Sequence, residues 1–257
     1  MCIRDSSGAA SKINNPSKSI AIACASHSGS KLHTREAFKI LWDYDIDINN
    51  LKCPKSKTSS LEHNCSGKHA AFLATCKKLN WPIETYLKGD HPLQIEIFRI
   101  VSELLEIPTS EIKAERDDCG APTLYLKLLE MSKLYSLLSS SDNAELEQIS
   151  RAMTTNPTLI SDNNKFDTEI IKASHGQVIG KGGAEGIQCL CKINEGIGLA
   201  LKVEDGSKRA KHAVSLHLLK QLEWISDLRI QDIEEKVFNF SEGVRIEVKG
   251  QLKFQES

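Results

Sequence analysis

Gln177-Val178-Ile179-Gly180-Lys181-Gly182-Gly183-Ala184-Glu185-Gly186 reads as a glycine-rich strand that runs into a turn. Two apolar segments follow, 187–193 and 197–203, joined by Asn194-Glu195-Gly196. Apolar, β-prone runs on either side of such a turn predict a β-hairpin. The middle of the chain carries helical periodicity instead, so helices come first and antiparallel strands late. That order predicts an α+β fold, an antiparallel sheet covered by helices, and not alternating βαβ units.

Upstream of that sheet, Ile20-Ala21-Ile22-Ala23-Cys24-Ala25 has the continuous apolar character of a buried strand, which would deliver Ser26-His27-Ser28-Gly29 at its end. Thr34 is placed to cap a short helix through Leu41, and 43–60 reads as loop. A helix is predicted through Leu79 behind Asn64 or Ser66 as N-cap, and another over 92–105. Pro122 suits the first turn of a helix running to about 138, and 139–143 would cap one that reaches Met153. A helix over 207–224 and a closing strand over 244–254 complete the pattern. Neither an internal repeat nor a low-complexity linker interrupts it.

With 257 residues the chain is long enough for one substantial domain. Its 33 Lys and Arg against 34 Asp and Glu leave no large field, so neither nucleic acid nor an anionic membrane is expected as partner. No apolar run approaches the length of a membrane span. Met1-Cys2-Ile3-Arg4-Asp5-Ser6 has no apolar leader, so a cytoplasmic location with reduced cysteines is expected. The cysteines, at 2, 24, 53, 65, 76, 119, 189 and 191, are widely spaced and include no Cys-x-x-Cys. Cys189 and Cys191 alternate along one strand and are expected to pack.

Asn64-Cys65-Ser66-Gly67-Lys68-His69 gathers a thiol, a hydroxyl, an amine and an imidazole just ahead of an apolar helix. At the positive end of a helix a thiolate is stabilised and a neutral amine is easier to maintain. Taken alone, the segment is equally a buried cysteine beside a capped helix with a solvated lysine.

Four more blocks stand out: Ala23-Cys24-Ala25-Ser26-His27-Ser28-Gly29, Asp117-Asp118-Cys119-Gly120-Ala121-Pro122, Gly180-Lys181-Gly182-Gly183-Ala184-Glu185-Gly186 and Lys202-Val203-Glu204-Asp205-Gly206-Ser207. In order and at comparable spacing, these five blocks resemble the rhizobial-type L-asparaginases, the asparaginase II family, from about residue 7 onward. The resemblance implies the serine β-lactamase and penicillin-binding-protein architecture, hydrolysis of L-asparagine to L-aspartate and ammonia, and a homodimer. It implies Ser26 as the active-site serine and Lys181 as the lysine of the glycine-rich strand. It also implies a metal, typically zinc, on Cys65, Lys68 and Cys119, with Asp117 beside it.

Under that reading, Ser26 needs a base, and Lys181 serves only as an uncharged amine. Gly180, Gly182 and Gly183 let backbone approach a ligand closely and offer N–H donors to an oxyanion. Two thiolates suit zinc, and three protein ligands leave a fourth position open. Asp117 either orients Lys68 or holds the substrate ammonium. His63 and His69 are candidate supports for the metal ligands, and His27 either bridges Ser26 to water or packs. Arg116, Lys202 and Lys208 are candidates for the substrate carboxylate, Glu185 and Asp205 for its ammonium.

The chain departs from the family pattern in lacking a Ser-x-x-Lys pair ahead of these blocks and in a shorter stretch between Ser28 and Asn64. The expectation is that residues 1–6 are foreign and that 7–257 form one asparaginase-like domain without its natural N-terminal segment. A metal-binding homologue without turnover, or an amidohydrolase of another small amide, are the alternatives.

Overall fold

The computed structural model describes residues 15–238 and 246–252. The expected leader at 1–6 lies outside them, as do both ends of the expected closing strand, and residues 246–252 form no strand.

The first described element corrects the sequence reading, for it is a helix, α1 (Pro16–Ala23). The Asn15 side chain accepts the Lys18 N–H, and Pro16 sits in the first turn, where no N–H is required. Ala21 and Ile22 are fully buried but face two different cores. Ile22 packs with Leu41, Leu73, Tyr86 and Cys119, whereas Ala21 packs with Met153, Ile160, Ile179 and Cys191. A short helix covered on all sides has the same unbroken apolar run as a buried strand. Its alanines favour the helix.

Three helices follow, α2 (Lys31–Asp43), α3 (Ser66–Lys78) and α4 (Pro92–Leu105). A small antiparallel hairpin comes next, β1 (Ala114–Arg116) with β2 (Pro122–Leu124). The helix expected from Pro122 therefore starts later, as α5 (Leu128–Ser139). Arg116 pairs with Pro122, and the Thr123 hydroxyl donates to Asp117 at 3.0 Å, which draws this segment into extended form. Glu130 accepts the Lys127 N–H at 2.7 Å and fixes where the helix begins. Asn143 caps α6 (Ala144–Thr155) as expected, and α7 (Pro157–Ile160) and α8 (Phe166–Ala173) lead into the sheet.

The main sheet is the predicted one: β3 (Val178–Gly182), β4 (Ile187–Lys192) and β5 (Ile197–Lys202), antiparallel in that order. Ile179 and Cys191 face α1, α5 and α6, while Val178 and Leu190 face α8 and α9 (Lys208–Gln221). The last described helix, α10 (Asp227–Val237), adds Ile230 and Ile233 to that second side. The α+β expectation holds. Among the described residues no helix is long and apolar enough to cross a membrane.

Two glycines let elements approach backbone to backbone. A Cβ on Gly198 of β5 would lie 2.1 Å from the Ser132 carbonyl oxygen of α5. A Cβ on Gly67 of α3 would lie 2.0 Å from the Ile22 carbonyl oxygen of α1. The second contact sets α3 directly against α1, where no flexible side chain is present to yield. Gly67→Ala is therefore expected to destabilise the fold by roughly 3 kcal/mol or more, the upper end of overpacking costs. Gly89→Ala, where the new Cβ meets nothing within 4 Å, should be close to neutral. Urea midpoints of the two variants check this.

Candidate active site

Cys65 is the residue that precedes the first turn of α3, and neither Asn64 nor Ser66 caps that helix with its side chain. The Ser66 hydroxyl donates to the Leu61 carbonyl instead, at 2.8 Å. His63 accepts the Cys65 N–H through Nδ1 at 3.1 Å and so fixes the backbone there. Opposite, the turn after β1 is built around Asp117, whose Oδ1 accepts the N–H groups of Cys119 and Ala121 at 2.9 and 3.2 Å. The Asp117 Oδ2 accepts Lys68 Nζ at 3.2 Å and the Thr123 hydroxyl at 3.0 Å. With both oxygens engaged, Asp117 orients Lys68 and is not left to hold a substrate ammonium.

The thiols of Cys65 and Cys119 are hydrogen-bonded to each other, which pulls Cys65 down to about 7 and, with burial, pushes Cys119 up to about 12. Burial works against the Lys68 ammonium, but Cys119, Cys65 and Asp117 outweigh it, so its pKa is raised. The expected thiolate is thus supported, by a neighbouring thiol more than by the helix end. The expected neutral amine is not, because three acidic groups surround it. His69 is fully buried; its Nδ1 accepts the Tyr86 hydroxyl at 2.7 Å, and that oxygen accepts the Lys52 N–H at 2.9 Å. That assignment leaves the proton on His69 Nε2, which faces Cys119 and makes no hydrogen bond of ordinary geometry among the described residues.

Residues 24–29 lie between this cluster and the sheet. Ser26 is exposed, its N–H donates to the Ile160 carbonyl at 3.0 Å, and its hydroxyl makes no hydrogen bond among the described residues. His27 is buried. Its Nε2–H donates to Ser66 Oγ at 3.1 Å and its Nδ1 accepts the Gly29 N–H at 3.0 Å, and one neutral tautomer satisfies both bonds. Burial and the stacked His33 ring, 4.8 Å away, push His27 down to about 4. His27 thereby ties the segment carrying Ser26 to the first turn of α3. His33 in turn donates from Nε2 to the Thr158 and Ser161 carbonyls at 3.0 and 3.1 Å.

On β3, Lys181 is half-buried, and its Nζ donates to the Gly182 carbonyl at 2.7 Å, not to Ser26. Its charge acts on the thiols of Cys24 and Cys189. The Gly182 N–H is taken by Asp167 Oδ2 at 2.9 Å and the Gly183 N–H by the Ile187 carbonyl at 2.9 Å, so neither is free for an oxyanion as expected. Glu185 is exposed at a left-handed φ of 53° and makes no hydrogen bond or ion pair among the described residues. Arg116 and Lys208 are exposed, Lys202 donates to the Val203 carbonyl, and Asp205 accepts the Ser207 N–H. Nothing draws these four charges toward the thiol cluster. Cys189 and Cys191 pack as expected, both buried with their thiols pushed up to about 12.

Neighbouring blocks are thus tied to one another: 24–29 to α3 through His27 and Ser66, Asp117 to Lys68, and Gly186 to Val203. A family model described as L-asparaginase II matches residues 5–254. This chain belongs to the L-asparaginase II family. The comparison with curated proteins returns no match. Membership of the L-asparaginase II family implies an amidohydrolase.

The thiols of Cys65 and Cys119 and the Lys68 amine act on one another, and thiolate sulfur and a neutral amine are donors that suit the zinc expected from the sequence. Among the described residues no three His, Cys, Asp or Glu side chains group as a metal site. Sequence reasoning missed Tyr86, His33, Asp167 and Lys211. Tyr86 and His33 are isolated in sequence, Asp167 looks like an ordinary acidic residue of a helix's first turn, and Lys211 follows Lys208 and Arg209 as if on a solvated face.

His212, stacked on Phe166 at 4.1 Å, is likewise pushed down to about 4 by burial and Lys211. Both His27 and His212 stay neutral when folded yet protonate near 6.5 when unfolded. Unfolding then takes up protons between pH 6.5 and 4, so stability falls with acid across that window and is insensitive to these groups above it. Thermal midpoints from pH 8 to 4 should show the decline, and His27→Gln, which keeps a donor toward Ser66, should lessen it while leaving the His212 share. A midpoint flat down to pH 4.5 would contradict the assignment.

Proposed function

We propose that this protein hydrolyses L-asparagine to L-aspartate and ammonia, with Ser26 as nucleophile and Lys181 as its proton carrier. The observation that carries the reading is the position of residues 24–29. At one end Cys24 lies in the field of Lys181; at the other His27 is bonded to Ser66, next to Cys65. The segment that bears the exposed, unbonded Ser26 hydroxyl therefore spans the lysine of the sheet and the thiol cluster of α3.

In the proposed reaction, Lys181 first gives up its ammonium proton to solvent, and Ser26 Oγ then attacks the side-chain amide carbon while its proton passes to the neutral Lys181 Nζ. Lys181 returns that proton to the departing nitrogen, the C–N bond breaks, and ammonia leaves. Water then cleaves the acyl ester by the reverse proton path and frees aspartate. Productive attack requires Lys181 Nζ to exchange its Gly182 carbonyl bond for one to Ser26. Cys65, Lys68 and Cys119 are proposed to hold zinc, which when bound supplies Lewis-acid polarisation of a carbonyl. Loading it requires Lys68 and the higher-pKa thiol to give up protons, so binding is favoured as pH rises. The Gly182-directed Lys181 also supports the alternative of a metal-binding homologue without turnover.

Ammonia release from L-asparagine, with L-glutamine alongside, separates the readings when zinc content is measured on the same protein. The proposal expects release above background and a loss of at least about a thousandfold in Ser26→Ala. It also expects Cys65→Ser to bind substantially less zinc. Bound zinc with no ammonia would favour the metal-binding homologue, and a fully active Ser26→Ala would remove the serine from the mechanism.

A further inference from the structure

Behind the glycine-rich strand, on the side away from Cys24, lies a buried group of polar side chains that the proposed chemistry does not use. Asp167 belongs to the first turn of α8, Lys211 to α9 and Gln188 to β4, and all three are buried. Asp167 Oδ2 accepts the Gly182 N–H and its Oδ1 accepts Gln188 Nε2, each at 2.9 Å. Lys211 Nζ donates to the carbonyls of Gly183 and Ile187, each at 3.0 Å. A Cβ on Gly182 would stand 2.9 Å from Lys211 Nζ, 3.1 Å from Gln188 Oε1 and 3.5 Å from Asp167 Oδ2, so the group fills the space against that Cα.

The sidedness of a strand gives this arrangement a consequence. Successive residues point to opposite faces. Because the Gly182 side faces Asp167 and Lys211, the Lys181 side chain leaves from the other face, where Cys24 lies and where Cys189 is directly opposite in register. The peptide between Lys181 and Gly182 is held by Asp167, and those that begin at Gly183 and Ile187 are held by Lys211. Two buried charged side chains that bond backbone and amide groups, and not each other, are an expensive way to stabilise a turn, since each ion loses hydration on burial. What they add is a fixed position for the backbone at the root of Lys181.

We propose that Asp167 and Lys211 are positioning residues for Lys181, clamping the end of β3 from beneath so that its amine is presented to Ser26. The proposal rests on Lys181 serving as proton carrier. A shift of about 1 Å in a reacting group costs up to about a hundredfold in rate, so loss of the clamp should appear in kcat and not in KM.

The test compares Lys211→Met, Lys211→Arg and Asp167→Asn with Lys181→Met, by asparagine kinetics on protein shown to be folded by circular dichroism. Expected are a tenfold to hundredfold fall in kcat for Lys211→Met and Asp167→Asn, KM within about twofold, and partial recovery in Lys211→Arg, which retains donors for both carbonyls. A folded Lys211→Met or Asp167→Asn with the parent kcat overturns the proposal, as does Lys211→Arg performing no better than Lys211→Met. If Lys211→Met does not fold, Asp167→Asn, which keeps the shape but leaves one acceptor oxygen where the Gly182 N–H and Gln188 Nε2 use two, decides alone. A fully active Lys181→Met would instead overturn the role of Lys181, a failure distinguishable because it leaves the other variants' kcat changes unexplained by that lysine.

Discussion

Contact between two backbones, at Gly67 and Ile22, sets the geometry of everything around the site. Because Gly67 has no side chain, α3 rests on the carbonyl of α1, closer than a residue with a Cβ allows. The end of α1 is followed at once by residues 24–29, and the start of α3 carries Cys65 and Lys68. The same close approach therefore brings the exposed serine and the paired thiols into one region. The buried His27–Ser66 hydrogen bond then fixes how the two segments are turned.

The electrostatics around Lys68 follow from that packing. A lysine ammonium at half-buried depth is normally penalised, yet here two thiols and a carboxylate share its surroundings and the charged form wins. The thiol pair shares a proton unevenly, with Cys65 the more acidic partner. Such a cluster is costly to a fold that has no use for it, because removing any one member leaves the others buried and unbalanced. A soft dication satisfies the sulfurs and removes the need for the protons between them.

Much of this was legible in the sequence where the signal was local. The hairpin over 187–203, the α4 helix opening at Pro92 and the Asn143 cap each depend on neighbouring residues, and each is where the pattern put it. The elements misread were those that tertiary contacts decide. Burial on both sides gives residues 20–23 of the helix an apolar run that reads equally as a strand, and Pro122 opens a strand because Asp117, five residues earlier, captures Thr123. The site shows the same division. The proximity of Cys65, Lys68, Asp117 and Cys119 was visible through the family resemblance, whereas the occupation of His27, Asp117 and the Gly182 N–H by other protein groups was not. Nor did Asp167 and Lys211 differ on the page from surface charges; only the fold sets both against Gly182.

The central claim is the proposal that the serine, the sheet lysine and a metal on Cys65, Lys68 and Cys119 serve one site. A crystal structure of the zinc-loaded protein soaked with L-aspartate tests it most directly. The account predicts an anomalous zinc peak bonded to Cys65 Sγ, Lys68 Nζ and Cys119 Sγ, with the aspartate side chain beside Ser26 Oγ. A peak on other residues, or aspartate bound away from Ser26, would contradict it.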